Sequence, residues 1–232
     1  PGEWDEHAVF TPSILVAEGR SYLFYTAVPE PFTNDDGGPK GTPTAIGVAV
    51  ADSPDGPWQR FEGNPVLRPG AEGEFDSHRV DDSCLIVRQG RYWLYYKGRE
   101  LQLGPGQTKM GLAQADEPTG PYVKHPENPL IGSGHEVCVW PHRQGVAALL
   151  APTGPEGSTI QWSPDGIHFR VRGRVEPPKA PGPFRTDRYE DVSCGEGITW
   201  GVCQQMAQPP LRPYLARFEC DLSAPAQQGE TQ

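Results

Sequence analysis

The sequence predicts an all-β protein, because one strand–turn–strand pattern recurs along it and no long segment has the apolar period of a helix. The two clearest copies are residues 11–25 (TPSILVAEGRSYLFY) and 81–95 (DDSCLIVRQGRYWLY). Each copy has a polar opening, an apolar run, a glycine turn and an aromatic run. Repeats of this size build radial or stacked sheets, and we expect a β-propeller in which each repeat forms one blade.

Further motifs recur in the same order inside the repeat. Residues 46–51 (IGVAVA) return as residues 110–115 (MGLAQA), and Gly56 of a Pro-Asp-Gly triplet returns 64 positions later as Gly120 of a Pro-Thr-Gly triplet. Proline presets φ and glycine accepts positive φ, so both triplets suit tight reversals between strands. In the third copy we expect the hairpin turn at Gln144 and Gly145.

These copies define four units within a single propeller domain over residues 1–222. The units lie near residues 5–70, 76–131, 133–176 and 187–222, and a polar tail covers residues 223–232. The fourth unit is the weakest copy of the pattern. A chain of 232 residues is long enough to form one all-β domain of this kind.

Composition excludes some classes of partner. The formal net charge of −10 disfavours nucleic acids and other polyanions, while it leaves neutral ligands open. No apolar run approaches the roughly 20 residues that a membrane helix needs. The five cysteines lie mostly inside strand-like runs without the spacing of a zinc site, so we expect small buried hydrophobic residues.

Polar residues at the openings of the units are the candidates for chemistry. In a propeller the first strand of each blade lines the central channel, so equivalent openings converge there. We align four openings in this way: Thr11, Asp81, Glu136 and Glu190 or its neighbour Asp191. Carboxylates that face one another resist joint ionisation, which separates a general acid from a general base. Cleavage of a glycosidic bond needs such a pair.

Each candidate has a simpler structural alternative. Asp81 precedes an apolar strand, where an aspartate often only forms a turn. Glu136 could form a structural ion pair, and His135 could donate a hydrogen bond to a backbone carbonyl instead of a proton to a substrate.

Other polar and aromatic residues near the openings are candidates for substrate binding, with turns, bracing of blades and core packing as alternatives. They are Asp5, His7, Thr11, His78, Arg79, Trp140 and Glu190.

Four strings of the chain together resemble glycoside hydrolase family 117. They are residues 76–87 (DSHRVDDSCLIV), 92–99 (YWLYYKGR), 134–141 (GHEVCVWP) and 3–12 (EWDEHAVFTP). The resemblance implies a five-bladed propeller related to family 43. It also implies exo-acting, inverting removal of α-1,3-linked 3,6-anhydro-L-galactose from the non-reducing end of agar oligosaccharides.

The same resemblance implies roles for particular residues and partners. Asp81 corresponds to the second catalytic carboxylate, and His135 and Glu136 to the acid-side pair, with His135 as the suspected proton donor. No cofactor is needed for the chemistry, although a divalent cation near the channel and a homodimer of the full-length protein are both implied. A secreted or periplasmic location is favoured, with the bacterial cytoplasm as the alternative.

One departure from the family pattern affects the proposed activity. The family opens its first blade with an Arg-Asp-Pro-Ser-like string whose aspartate is the general base, and this sequence contains no such string. We therefore expect about four visible blades, with the first blade missing. Either the chain is part of a longer protein or it is a member that lost the base. A non-catalytic carbohydrate-binding propeller and a family 43-type arabinanase or xylosidase are the alternative functions.

Overall fold

The computed structural model shows four antiparallel β-sheets arranged as the blades of a β-propeller, so the predicted fold class is confirmed. It describes residues 3–30, 43–133, 135, 137–184, 198–205 and 212–221. Within these residues the only helix is a short 3-10 turn at Pro105–Gln107. None of the described helical residues forms a segment long and apolar enough to cross a membrane.

Each of the first three sheets has four strands in chain order, and the described part of the fourth has three. The first contains β1 (Ala8–Ala17), β2 (Arg20–Val28), β3 (Ala45–Ala51) and β4 (Gln59–Arg60). The second contains β5 (Arg79–Arg88), β6 (Arg91–Arg99), β7 (Lys109–Ala115) and β8 (Val123–Lys124). The third contains β9 (Val137–His142), β10 (Gly145–Leu150), β11 (Thr159–Ser163) and β12 (Arg170–Arg174). The fourth contains β13 (Gly182–Pro183), β14 (Trp200–Gln205) and β15 (Tyr214–Glu219).

Two-residue turns close the first hairpin of each of the first three sheets. Both turn residues have positive φ in each case, which is the type I′ geometry that matches the twist of paired strands. In the third sheet the turn is at Arg143 and Gln144, one position before the predicted site. Gly145 instead begins β10, where a Cβ atom would lie 2.2 Å from the carbonyl oxygen of Ser163.

A buried polar network is repeated in the first two blades. Asp5 Oδ2 accepts a hydrogen bond of 2.9 Å from the Tyr25 hydroxyl, and Asp5 Oδ1 lies 3.2 Å from Arg60 Nη1. In the second blade Asp76 Oδ2 accepts the Tyr96 hydroxyl at 2.8 Å. These networks join the segment before the inner strand to strands further out in the same blade. The sequence repeat is therefore also a repeat of side-chain contacts.

Apolar clusters pack the blades against one another. Leu15 and Phe24 of the first blade meet Leu85 and Leu94 of the second. The second and third blades share another cluster, which includes Tyr95. The innermost strands also touch directly, since Ser13 Oγ lies 3.2 Å from Ser83 Oγ. This packing brings the openings of β1, β5 and β9 together around one axis.

The strands of the first three sheets lie inside the first three predicted units. The fourth sheet starts earlier than its predicted unit, because Gly182–Pro183 pairs with β14. Much of the fourth unit and the predicted tail lie outside the described residues.

Candidate active site

Two consecutive carboxylates reach one lysine at the opening of β5. The pairing of β5 with β6 shifts register between Asp81 and Cys84, and Asp82 has a φ of +50°. Consecutive side chains of a regular strand point to opposite faces, but a bulge removes that alternation. Lys97 Nζ lies 2.6 Å from Asp82 Oδ2 and 3.6 Å from Asp81 Oδ2. Both carboxylates are therefore held against the same ammonium group.

Hydroxyl groups of the first blade hold this bulge in place. The backbone N–H of Asp82 donates a hydrogen bond of 3.2 Å to Thr26 Oγ1, and Thr26 Oγ1 lies 2.8 Å from Thr11 Oγ1. Just before the bulge, Thr44 Oγ1 accepts a hydrogen bond from the Val80 N–H at 3.0 Å. A non-glycine residue at positive φ costs of order 1–3 kcal/mol and persists only where its surroundings fix it. The first blade provides that support.

His135 of the third blade shares the electrostatic environment of these groups. Burial and the positive charges of Lys97 and Arg99 together lower its pKa to about 4, against the opposing effect of Asp81. Arg79 adds to the lowering. His135 is therefore a neutral imidazole at neutral pH. Its Nδ1 atom is buried and forms no hydrogen bond with any of the described residues.

The site contains further buried cations. Arg79 and Arg99 lie opposite each other on β5 and β6, and they are 4% and 5% exposed. Burial lowers the pKa of His78, and the charges of Arg79 and Arg99 act in the same direction. The imidazoles of His78 and His135 are therefore both neutral at neutral pH.

Three buried polar atoms of this group make no hydrogen bond within the described part of the chain. They are Asp81 Oδ1, Asp82 Oδ1 and His135 Nδ1. A small cleft lies beside Asp82, and its other lining residues are Tyr95, Tyr96, Lys97, Met110 and Val137. Because unpaired buried polar atoms are costly, a hydrogen-bonding group that reached these three atoms would be stabilised.

Apart from Thr11, the predicted site residues divide into three groups. Asp81, His135, His78 and Arg79 lie together, as their mutual electrostatic effects show. Glu136, Glu190 and Asp191 lie outside the described residues, so their roles stay predictions. The third group has contacts that favour the structural alternatives.

Three residues form this third group. Asp5 is bonded to Tyr25 and Arg60 inside its own blade. Trp140 is 2% exposed and packs in an apolar cluster with Leu149. His7 is exposed, and its backbone N–H donates to the Val28 carbonyl at the start of the first hairpin.

The predicted alignment of Thr11 with Asp81 is wrong by one residue. Phe10 pairs with Thr26 on β2, just as Asp81 pairs with Lys97 on β6. Thr11 has a φ of +46° and occupies the bulge position, so its equivalent is Asp82. The spacing from the hairpin glycine shows the same equivalence, since Thr11 lies eight residues before Gly19 and Asp82 lies eight residues before Gly90.

Sequence reasoning assigned no role to Lys97, Arg99 or Thr26. Lys97 and Arg99 are charged residues inside an otherwise aromatic strand, and that contrast was the available signal. Nothing in the sequence around Thr26 indicated a role, because its hydrogen-bond partner Asp82 belongs to the next blade.

No metal site is evident in the described ranges. Among those residues, no three His, Cys, Asp or Glu side chains are grouped so that they could hold a metal ion. The divalent cation implied by the resemblance therefore has no identified ligands among them, and no chemical step is assigned to it.

Comparisons with solved structures agree with the resemblance seen in the sequence. The chain is 37% identical to a family 117 glycoside hydrolase from the marine bacterium Zobellia galactanivorans, with a TM-score of 0.82 over 96% of this chain and 64% of that one. The chain thus spans less than two thirds of that relative. No protein-family model matches the sequence, and no curated protein is significantly similar to it.

More distant structures share the fold alone. A β-fructofuranosidase from Schwanniomyces occidentalis is 12% identical, with a TM-score of 0.64 over 93% of this chain and 44% of that one. A family 43 β-1,3-galactosidase is 14% identical, with a TM-score of 0.59 over 92% of this chain and 74% of that one. The predicted resemblance to family 117 is confirmed, and the similar structures are glycosidase propellers.

Proposed function

We propose that this chain, a propeller resembling family 117 glycoside hydrolases over nearly its whole length, hydrolyses glycosidic bonds of agar oligosaccharides. The proposed substrate carries α-1,3-linked 3,6-anhydro-L-galactose at its non-reducing end, and cleavage inverts the anomeric centre. The observation that carries the proposal is the group formed by Asp81, Asp82 and His135, each of which has a buried polar atom without a hydrogen-bond partner among the described residues.

The carboxylates provide the charge that this reaction requires. Inverting glycosidases use one carboxyl group as general acid and another as general base, and their transition state resembles an oxocarbenium ion. The Asp81 carboxylate is buried and lies 3.6 Å from Lys97 Nζ, whereas Asp82 is held at 2.6 Å, so Asp81 is the carboxylate left freer to interact with developing positive charge. Asp81 is proposed as the reacting carboxylate, in agreement with the resemblance.

The acid side of the reaction is assigned to His135 and Glu136. With a pKa of about 4, the His135 imidazole is almost never protonated at neutral pH, which disfavours it as the direct proton donor. We therefore assign proton donation to Glu136 and give His135 the role of hydrogen bonding the substrate through its neutral ring. This modifies the expectation that His135 itself donates the proton.

The test is release of 3,6-anhydro-L-galactose from neoagarobiose. The chain and the full-length protein should be incubated with the disaccharide, and the anomer released first should be identified by NMR. Release of the inverted product that is lost in an Asp81→Asn variant supports the proposal. Turnover of arabinan or xylan fragments instead, in the same panel, would assign the chain to a family 43-type activity.

One observation favours a second candidate function, which is binding of the sugar without cleavage. The sequence lacks the Arg-Asp-Pro-Ser-like string that carries the general base in the family. A propeller that binds the sugar without cleaving it would have this property. Calorimetric binding of neoagarobiose by both proteins, with no product released by either, would favour the binding function over hydrolysis.

A further inference from the structure

We propose that Lys97 is a positioning residue of this site, whose ammonium group holds the Asp81 and Asp82 carboxylates side by side and faces His135. The expected effect of Lys97 on turnover rests on the proposed glycosidase function. Its effect on the ionisation of His135 does not depend on any substrate. The two parts can therefore be tested separately.

Lys97 lies against both carboxylates at the opening of β5. Lys97 lies directly opposite Asp81 in the β5–β6 ladder, and its side chain is 14% exposed. Its Nζ atom is within 4 Å of both carboxylates, and the side chain lines the cleft beside Asp82. A lysine in this position satisfies two consecutive acids that would otherwise repel each other.

The two ion pairs differ in length, and the difference suggests a division of labour. Asp82 is held at 2.6 Å by Lys97, and its backbone N–H is bonded to Thr26. Asp81 lies 3.6 Å from the same Nζ atom. Asp82 thus anchors the ammonium group, and Asp81 keeps more freedom to meet a water molecule or a sugar hydroxyl.

Lys97 also contributes to the neutral state of His135. After burial, its positive charge is the largest influence that lowers the pKa of His135 to about 4. Among the described residues, the other charged or titratable groups of the site are His78, Arg79, Asp81 and Asp82 on and before β5, and Arg99 on β6. Arg79 and Arg99 act in the same direction as Lys97, and Asp81 opposes them.

The experiment compares Lys97→Met with the charge-retaining Lys97→Arg. The imidazole signals are titrated by NMR in both variants and in the unmodified protein, and the His135 signal is assigned with a His135→Gln variant. In Lys97→Met we expect the His135 midpoint to move up from about 4 toward the ordinary 6.5, while Lys97→Arg stays near the original value. The exposed His168 serves as the internal reference, because its partners are Asp165 and Glu127.

Turnover gives the second measurement. With an active substrate, Lys97→Met should lower kcat/KM on the order of tenfold or more and move the acidic limb of the pH profile upward, while Lys97→Arg should largely restore both. If Lys97→Met does not fold, Lys97→Gln replaces it in both measurements. An unchanged His135 midpoint in a folded neutral variant would overturn the proposal. If the unmodified protein shows no turnover, the proposed glycosidase function is rejected, but the titration of His135 still tests the role of Lys97.

Discussion

At the scale of single residues, the arrangement of Asp81 and Asp82 explains why two adjacent acids can serve one site. In a regular strand one of them would face away from the other. The bulge at Asp82, with its φ of +50°, lets both carboxylates reach Lys97. The cost of this backbone conformation is offset by contacts with the first blade.

The first prediction concerns these two acids. Asp81→Asn should lower kcat for release of the anhydro sugar by roughly 10²-fold or more, because the amide cannot carry the negative charge of the carboxylate. Asp82→Asn should have a smaller effect on kcat, since Asp82 anchors Lys97 in our assignment. Asp52→Asn is the matched control. Asp52 pairs with Arg20 at the surface, so activity should stay at the original level. Equal losses in all three variants would contradict the assignment of Asp81.

A second prediction concerns the hydroxyl group of Thr26. Thr26→Val keeps the shape but leaves the buried Asp82 N–H without its acceptor, which should cost about 1–3 kcal/mol of unfolding free energy. It should also lower kcat/KM, because the bulge loses its support. Thr26→Ser keeps the hydroxyl and should preserve most of both properties. Urea unfolding and steady-state kinetics measure the two effects. A Thr26→Val protein as stable and active as the original would show that the bulge does not need this hydroxyl.

At the scale of secondary-structure elements, the turn after β11 is connected to the second blade. His168 Nδ1 lies 2.7 Å from Asp165 Oδ2, and His168 Nε2 lies 3.0 Å from Glu127 Oε2 in the loop after β8. Hydrogen bonds to Asp165 and Glu127 raise the pKa of His168. Burial opposes the change for Asp165, but its hydrogen bonds with His168 and neighbouring groups lower its pKa. A histidine thus joins two blades at their exposed edge.

This contact predicts a pH-dependent contribution to stability. Because the folded pKa of His168 lies above its ordinary 6.5, the contribution is complete below pH 6.5 and is lost as pH rises through the raised folded value. The Asp165 part requires a carboxylate, so it is complete above the ordinary pKa of 3.8 and is lost at lower pH. The melting temperature of a His168→Gln variant should therefore fall furthest below that of the original protein between pH 4 and 6.5. A difference that grows above pH 8 would contradict this sign.

At the scale of the whole molecule, the blades are stabilised by apolar clusters that neighbouring blades share. Leu94 is fully buried in a cluster that contains residues of the first and second blades, and Trp140 lies in the cluster that connects the third blade with Ile198. These clusters place the inner strands next to one another and so define the site. Activity and stability should therefore depend on the same packing.

The last prediction follows from that packing. Leu94→Ala should cost roughly 2–5 kcal/mol of unfolding free energy, because a cavity forms between two blades. Val123→Ala is the control, since Val123 is 67% exposed and its loss should change stability by less than about 0.5 kcal/mol. Denaturant unfolding followed by tryptophan fluorescence and by circular dichroism measures both. Equal stability of the two variants would show that the shared cluster contributes little.

Much of the fold could be predicted from the sequence, because the signals of a blade are local. Alternation of apolar and polar residues gives strands, and turn residues such as those at 18–19 and 89–90 close the hairpins. The return of residues 46–51 as 110–115 and of Gly56 as Gly120 gives the repeat. The exception among the turns was Gly145, whose glycine is required by close packing on Ser163 rather than by the turn itself.

By itself the sequence determined the all-β repeat, the resemblance to family 117 and the presence of Asp81 and His135 at the openings of two units. Only the tertiary structure decided that Lys97 joins two acids and that Asp5 and Trp140 are engaged inside the blades. The physical reason is that a bulge and a contact between blades both depend on residues far apart in the chain. Local sequence preferences indicate strands and turns, whereas the register of the strands and the convergence of the site residues are fixed when the sheets pack.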